Sequence, residues 1–124
     1  MSAEEIIRSK HRVENALMDL RTSLSRWNKG IALLTTQELE LLTAKALDAA
    51  AENPDDRPKK FKLLALSACL KRRVAGYHVS KLKRFWLTPG SPEVLMEEVM
   101  AQDFQLPDAV GDEVLVALIE HALT

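Results

Sequence analysis

Apolar residues recur at alternating intervals of three and four through the first quarter of the chain, and this spacing constrains the fold more than any other feature. The series is Ala3, Ile6, Lys10, Val13, Leu17, Leu20, Leu24 and Trp27, and Ile31 continues it. On an α-helix every member falls on one narrow stripe, a heptad seam in which Lys10 is the single polar residue. Ser2 and Glu5 form a capping box at the start, and Gly30 supplies a natural stop. The helix so defined runs for roughly 28 residues, which at 1.5 Å per residue is ~42 Å. A seam this narrow predicts packing along one long partner.

The rest of the chain repeats helical spacing, with no stretch of alternation long enough for a convincing strand. Thr35 and Glu38 make a second capping box. Leu39, Leu42, Ala46 and Ala49 or Ala50 face inward from the helix that follows, which ends near Asn53-Pro54. Pro58 is placed to open a third helix. From Phe61 to Leu70 that helix is apolar on most sides, the pattern of a central element. Thr88-Pro89-Gly90 is a terminator, and Ser91-Pro92-Glu93 carries the cap, proline and acid of a helix start. Val94, Leu95, Val99, Met96 and Met100 supply the apolar surface of this fourth helix. A break at Gln105-Leu106-Pro107 precedes a fifth, with Val110, Val114, Ala117, Leu118 and His121 along one side. The expectation is an all-α, single-domain bundle of about five helices spanning residues 1–124.

Charge is segregated along the chain although the net value is only −1. Ten Lys or Arg residues and no acid lie between Arg57 and Arg84, whereas eight acids and no Lys or Arg lie between Gly90 and Thr124. Blocks of opposite sign create local fields that a near-neutral total conceals, and such fields steer charged partners. On a helical wheel from Lys71 to Trp86, Val74, His78, Val79, Leu82, Phe85 and Trp86 gather on one side. Arg73, Tyr77, Lys81 and Arg84 gather on another, flanked by Arg72 and Lys83, while Lys71 falls on the apolar side. Such a stripe matches a phosphate backbone, because guanidinium groups grip phosphate bidentately and Tyr77 adds a hydroxyl or a stacking face. Lys59, Lys60 and Lys62 extend the positive surface. The competing reading is that the acidic third neutralises the basic block inside the bundle, through pairs that are individually weak but align helices. Phe85, Trp86 and Trp27 read more simply as core aromatics than as base-stacking platforms.

The residues that carry catalytic chemistry elsewhere are scattered here. His11, His78 and His121 lie far apart, and no pair has the spacing that sets two imidazoles on one helical face. His11 with Glu14 reads as a helix-surface contact, and His121 as a residue of the apolar side of the last helix. Cys69 stands alone within the most apolar stretch, which excludes an internal disulfide and points to a buried, unreactive thiol. No motif provides an activated nucleophile, and no loop matches a divalent-cation site. No cofactor and no metal are expected. The N-terminus lacks an export signal and no stretch reaches membrane-spanning length, so a cytoplasmic location is expected.

Together these features describe a non-enzymatic accessory protein. The first expectation is a basic helical surface over about residues 57–86 that binds nucleic-acid backbone, DNA or RNA, with little sequence specificity. Its contacts would be Arg72, Arg73, Tyr77, Lys81, Lys83 and Arg84 with Lys59, Lys60 and Lys62. The alternative is a protein–protein adaptor or inhibitor acting through the heptad seam and the acidic C-terminal helices. A third reading is that the seam of the first helix makes a homodimer, with Lys10 setting register.

Overall fold

The computed structural model describes residues 2–74 and 92–123, which form five α-helices and no strand. These are α1 (Ala3–Ile31), α2 (Thr36–Glu52), α3 (Arg57–Val74), α4 (Pro92–Ala101) and α5 (Asp112–Leu123). The all-α bundle expected from the periodicity is the architecture observed. Gly76, Tyr77, His78, Lys81, Lys83, Arg84, Phe85, Trp86 and the Thr88-Pro89-Gly90 terminator lie outside the described residues.

Local sequence sets the helix starts. The Ser2 hydroxyl accepts from the Glu5 N–H and the Glu5 carboxylate accepts from the Ser2 N–H. Thr35 and Glu38 repeat this reciprocal pair at the start of α2. Each box satisfies two backbone donors that no helical carbonyl can reach. α3 begins one residue before the expected Pro58, because the Asp56 carboxylate accepts from the Lys59 N–H and caps the turn from outside. α1 runs one residue past Gly30. Gly30 lies inside the helix beside α4, where a Cβ would meet the Val99 side chain at an ordinary contact distance of 3.7 Å.

α2 packs along α3, α3 packs on α5, and the C-terminal half of α1 lies against α5 and α4. The core is aliphatic, with Leu24, Leu39, Ala65, Leu66 and Leu123 wholly enclosed. Its aromatic centre is Phe104, which lies edge-on to Trp27 at 5.4 Å and to Phe61 at 5.3 Å. The Trp27 indole N–H donates to the Val99 carbonyl at 3.1 Å, so the one polar atom of that buried ring is satisfied. α2 turns inward the residues expected, Leu39, Leu42, Ala46 and Ala50.

Two expectations about helix faces are corrected. α5 buries Leu115, Leu118, Ile119 and Leu123, while Val114, Ala117 and His121 are exposed. Both sides of this short helix are apolar, and the stripe with the larger aliphatic side chains takes the core because it removes more apolar area from water. The heptad seam of α1 is not covered along its length either. Leu20, Leu24, Trp27 and Ile31 are buried, but every residue from Ser2 to Arg12 is exposed.

The two halves of the seam therefore differ in energetic weight. Leu24→Ala lowers the free energy of unfolding in urea by about 2–5 kcal/mol through the cavity it leaves. Ile6→Ala, on the free half, changes it by no more than about 0.5 kcal/mol.

Candidate functional site

α3 carries the residues on which the nucleic-acid expectation rests, and its inward stripe runs Lys62, Ala65 and Leu66, Cys69, Arg73 at helical spacing. Arg73 is 7% exposed. Its guanidinium donates to the Leu34 carbonyl and, at 3.1 Å, to the Ile31 carbonyl, both at the C-terminal end of α1. Lys62 is also 7% exposed. Its ammonium donates to the Met100 carbonyl at 2.6 Å and pairs with Asp103 at 3.2 Å. Lys62 and Arg73 thus fit the expected phosphate-binding set poorly, since both side chains are largely buried and their head groups donate to backbone carbonyls of the fold. The wheel that placed Arg73 outward and Lys71 inward is reversed, for Lys71 is exposed. That wheel was aligned on the aromatic residues downstream, whereas the packing of α3 is fixed upstream by Phe61, Leu66 and Cys69.

The flanking cations serve the fold in the same way. Arg57 donates to Asp112 at 3.0 Å, to the Pro107 carbonyl at 3.1 Å and to the Val110 carbonyl. Arg72, half-buried, donates to the Leu123 carbonyl at 3.5 Å at the end of α5. Carbonyls at helix ends and in turns lack intrahelical donors and carry partial negative charge, so cations placed there satisfy and stabilise them. The basic block therefore meets the acidic third of the chain partly through carboxylates, at Arg57–Asp112 and Lys62–Asp103, and largely through backbone. Lys59 pairs with Asp56 at 3.7 Å and Lys60 is exposed. Tyr77, Lys81, Lys83 and Arg84 lie outside the described residues.

Cys69 packs behind this stripe, its thiol donating to the Asn28 side-chain oxygen at 3.6 Å. Burial pushes the thiol pKa up from 9.0 to about 11, and Arg72 and Arg73 lower it by less. A small apolar cleft of about 110 Å³ opens between α3 and α5, floored by Phe61, Leu64, Leu115 and Val116 and rimmed by Arg57 and Asp112. Among the described residues no cluster of His, Cys, Asp or Glu has the arrangement of a metal site. No helix among them is long and apolar enough to cross a membrane.

Among the described residues, α1 also carries an exposed apolar face. Ile6 is 53% exposed and Ile7 55%, Val13 and Leu17 are half-covered, and Met18 is 66% exposed. Ile6, Ser9, Lys10, Val13 and Glu14 line a shallow groove along this half of the helix. Beside it His11 and Glu14 form the weak surface contact expected from their spacing, at 3.9 Å with both side chains well solvated. Searches of protein-family models, curated proteins and solved structures returned no match to this chain. Its surfaces are therefore interpreted from their own chemistry.

Two measurements separate structural from interactive roles on α3. Arg73→Met costs about 2–4 kcal/mol of stability in urea because buried carbonyls lose their donor. Lys71→Met, two residues away and exposed, costs no more than about 0.5 kcal/mol. Cys69 resists alkylation in the folded chain at pH 8, where its thiolate fraction is on the order of a thousandth, and reacts at once in denaturant. The folded pKa lies above the unfolded one, so this thiol's contribution to stability is complete below pH 9.0 and is lost as pH rises towards about 11. Cys69→Ala removes that share of the alkaline destabilisation.

Proposed function

We propose that this chain is a non-enzymatic interaction protein whose α1, over residues 3–19, docks a helix of a protein partner. The observation that carries the reading is the continuation of the heptad seam beyond the bundle. Ile6 is more than half exposed at the same spacing that buries Leu20, Leu24 and Trp27 further along, and Ile7 beside the seam is equally exposed. A face built for knobs-into-holes packing gains nothing from water, and burial of each such side chain contributes about 1.5–3 kcal/mol when complete.

A second consideration supports the same surface. Isolated helices of about 12–15 residues are marginal in water, so a helical segment projecting from its bundle gains directly from a packing partner. The capping box at Ser2 and Glu5 and the Glu4, Glu5 pair near the positive end of the dipole hold its start, but they supply no tertiary burial. Helix-in-groove recognition of this kind relies on anchors repeating at three- and four-residue intervals along one face, and Ile6, Lys10, Val13 and Leu17 stand at i, i+4, i+7 and i+11.

The polyanion reading keeps less ground among the described residues. With Lys62 and Arg73 buried and Arg72 donating to Leu123, its exposed cations on α3 reduce mainly to Lys60 and Lys71, separated by Leu64 and Ser67 on the outer face. Such a face gives a shallow salt dependence rather than a steep one.

A synthetic heptad peptide with a leucine seam and one glutamate placed to face Lys10 is the direct probe. Saturable binding by fluorescence anisotropy is expected, with a loss of at least about tenfold in Ile6→Glu/Val13→Glu. The thermal unfolding midpoint of the bundle is expected to change little in Ile6→Glu alone, which is expected to weaken peptide binding as well, whereas the half-covered Val13 makes the double change lower it. Peptide binding unaffected by that double change overturns the proposal. Retention of labelled oligonucleotides at ~0.15 M salt with no peptide binding returns the case to the polyanion reading.

A further inference from the structure

We infer that the helix docked on α1 is α1 of a second copy of this chain, running antiparallel with Lys10 of each copy opposite Val13 of the other. The inference rests on the docking reading above and names its occupant. In an antiparallel pair, each layer joins a member of the series Ala3, Lys10, Leu17 to a member of the series Ile6, Val13, Leu20. Setting Lys10 against Val13 also sets Ile6 against Leu17 and brings Ala3 level with Leu20 of the second copy. Leu20 is where the bundle begins, being 2% exposed, and Ala3 is where the capped helix begins. The two exposed segments therefore overlap along their length, and the half-covered Val13 and Leu17 offer their remaining exposed surface to the second copy.

The neighbouring registers do not achieve this. Slipping one heptad further together brings Ala3 level with Trp27, which is buried in the bundle core. Slipping one heptad apart pairs Lys10 with Ile6 and leaves Leu17 with no facing residue. The length of the free helix and the phase of its heptads thus select the same register independently.

Charge selects the direction. A parallel, in-register pair places the two Lys10 ammonium groups face to face at the seam, like charges in a partly dehydrated layer. In the antiparallel register Glu14 of the second copy lies within one residue of the level of Lys10, about 1.5 Å along the axis. Lys10 and Glu14 already line the same groove on a single copy, so the twofold repeats one Lys–Glu contact on both sides of the interface. The lysine stem lies along Val13 and Ile6 while its head reaches the carboxylate at the rim. Ser9 and Ala16, on the flank, are small enough to let the helix axes approach.

Sedimentation of the full chain over a concentration series tests the proposal. A reversible dimer with a dissociation constant in roughly the micromolar range is expected, because the interface is short. Ile6→Glu is expected to be monomeric with unchanged helicity and thermal midpoint, since Ile6 contributes little to the bundle. Lys10→Glu sets acid against acid and weakens association about tenfold, and Lys10→Glu/Glu14→Lys restores it by exchanging the pair. A dimer that Ile6→Glu leaves intact overturns both the second-copy inference and the docking reading. A chain that stays monomeric at ~200 µM, a concentration far above the expected dissociation constant, but still binds the heptad peptide overturns only the second-copy inference. Failure of the charge exchange to restore a dimer that Lys10→Glu has weakened overturns the antiparallel register.

Discussion

The structure depends on α3 placing cations inside the molecule against the backbone ends of its neighbours. Arg73 closes the last turn of α1, Lys62 holds the end of α4, Arg72 reaches the end of α5 and Arg57 gathers the turn that precedes it. Helix C-termini buried without donors are costly, and in this small bundle several of them converge on one helix. α3 satisfies them while its Phe61, Leu66 and Cys69 fill the space between. Four of the cations that look in isolation like a surface for anions, Arg57, Lys62, Arg72 and Arg73, take part in joining the helices together.

Around this polar framework the apolar core closes on an aromatic cluster. Phe104, from the segment between α4 and α5, stands edge-on to rings from α1 and α3 and so ties the C-terminal elements to the first and third helices. The Trp27–Val99 hydrogen bond fixes α1 against α4 close to the last turn of α1. Asp103 and Phe104 are neighbours with opposite tasks, one anchoring Lys62 at the surface and the other filling the centre. Position on either side of one backbone segment is what lets charge pairing and burial reinforce each other.

This arrangement divides α1 into a structural half and a free half. The C-terminal half is held by the core and by Arg73 at its last turn. The N-terminal half keeps the heptad pattern and one lysine; it is exposed from Ser2 to Arg12, and Val13 and Leu17 are half-covered where they meet the core. A helix that is anchored at one end and apolar along one edge at the other is a rigid presentation of a binding face, so little conformational entropy is lost when it docks. The biochemistry proposed for the chain follows from that division, and the charged face of α3 enters it only as the scaffold that holds α1 in place.

Local signals settled much of this in advance. Helical periodicity established the all-α class, the capping boxes at Ser2 and Thr35 fixed two helix starts, and the inward faces of α2 and of the second half of α1 follow from spacing alone. These are short-range effects, written within a few residues of where they act. Other features needed the assembled molecule. Whether Arg73 points in or out depends on where the carbonyls of Ile31 and Leu34 come to rest, and backbone acceptors leave no trace in a charge count. The choice between the two apolar sides of α5, and the length of α1 left uncovered, depend on which neighbours arrive and how far they extend. A residue sequence specifies which faces are apolar or charged; only tertiary packing allocates those faces among a finite set of neighbours, and here it used several cations of α3 within the fold and left the first part of the seam exposed.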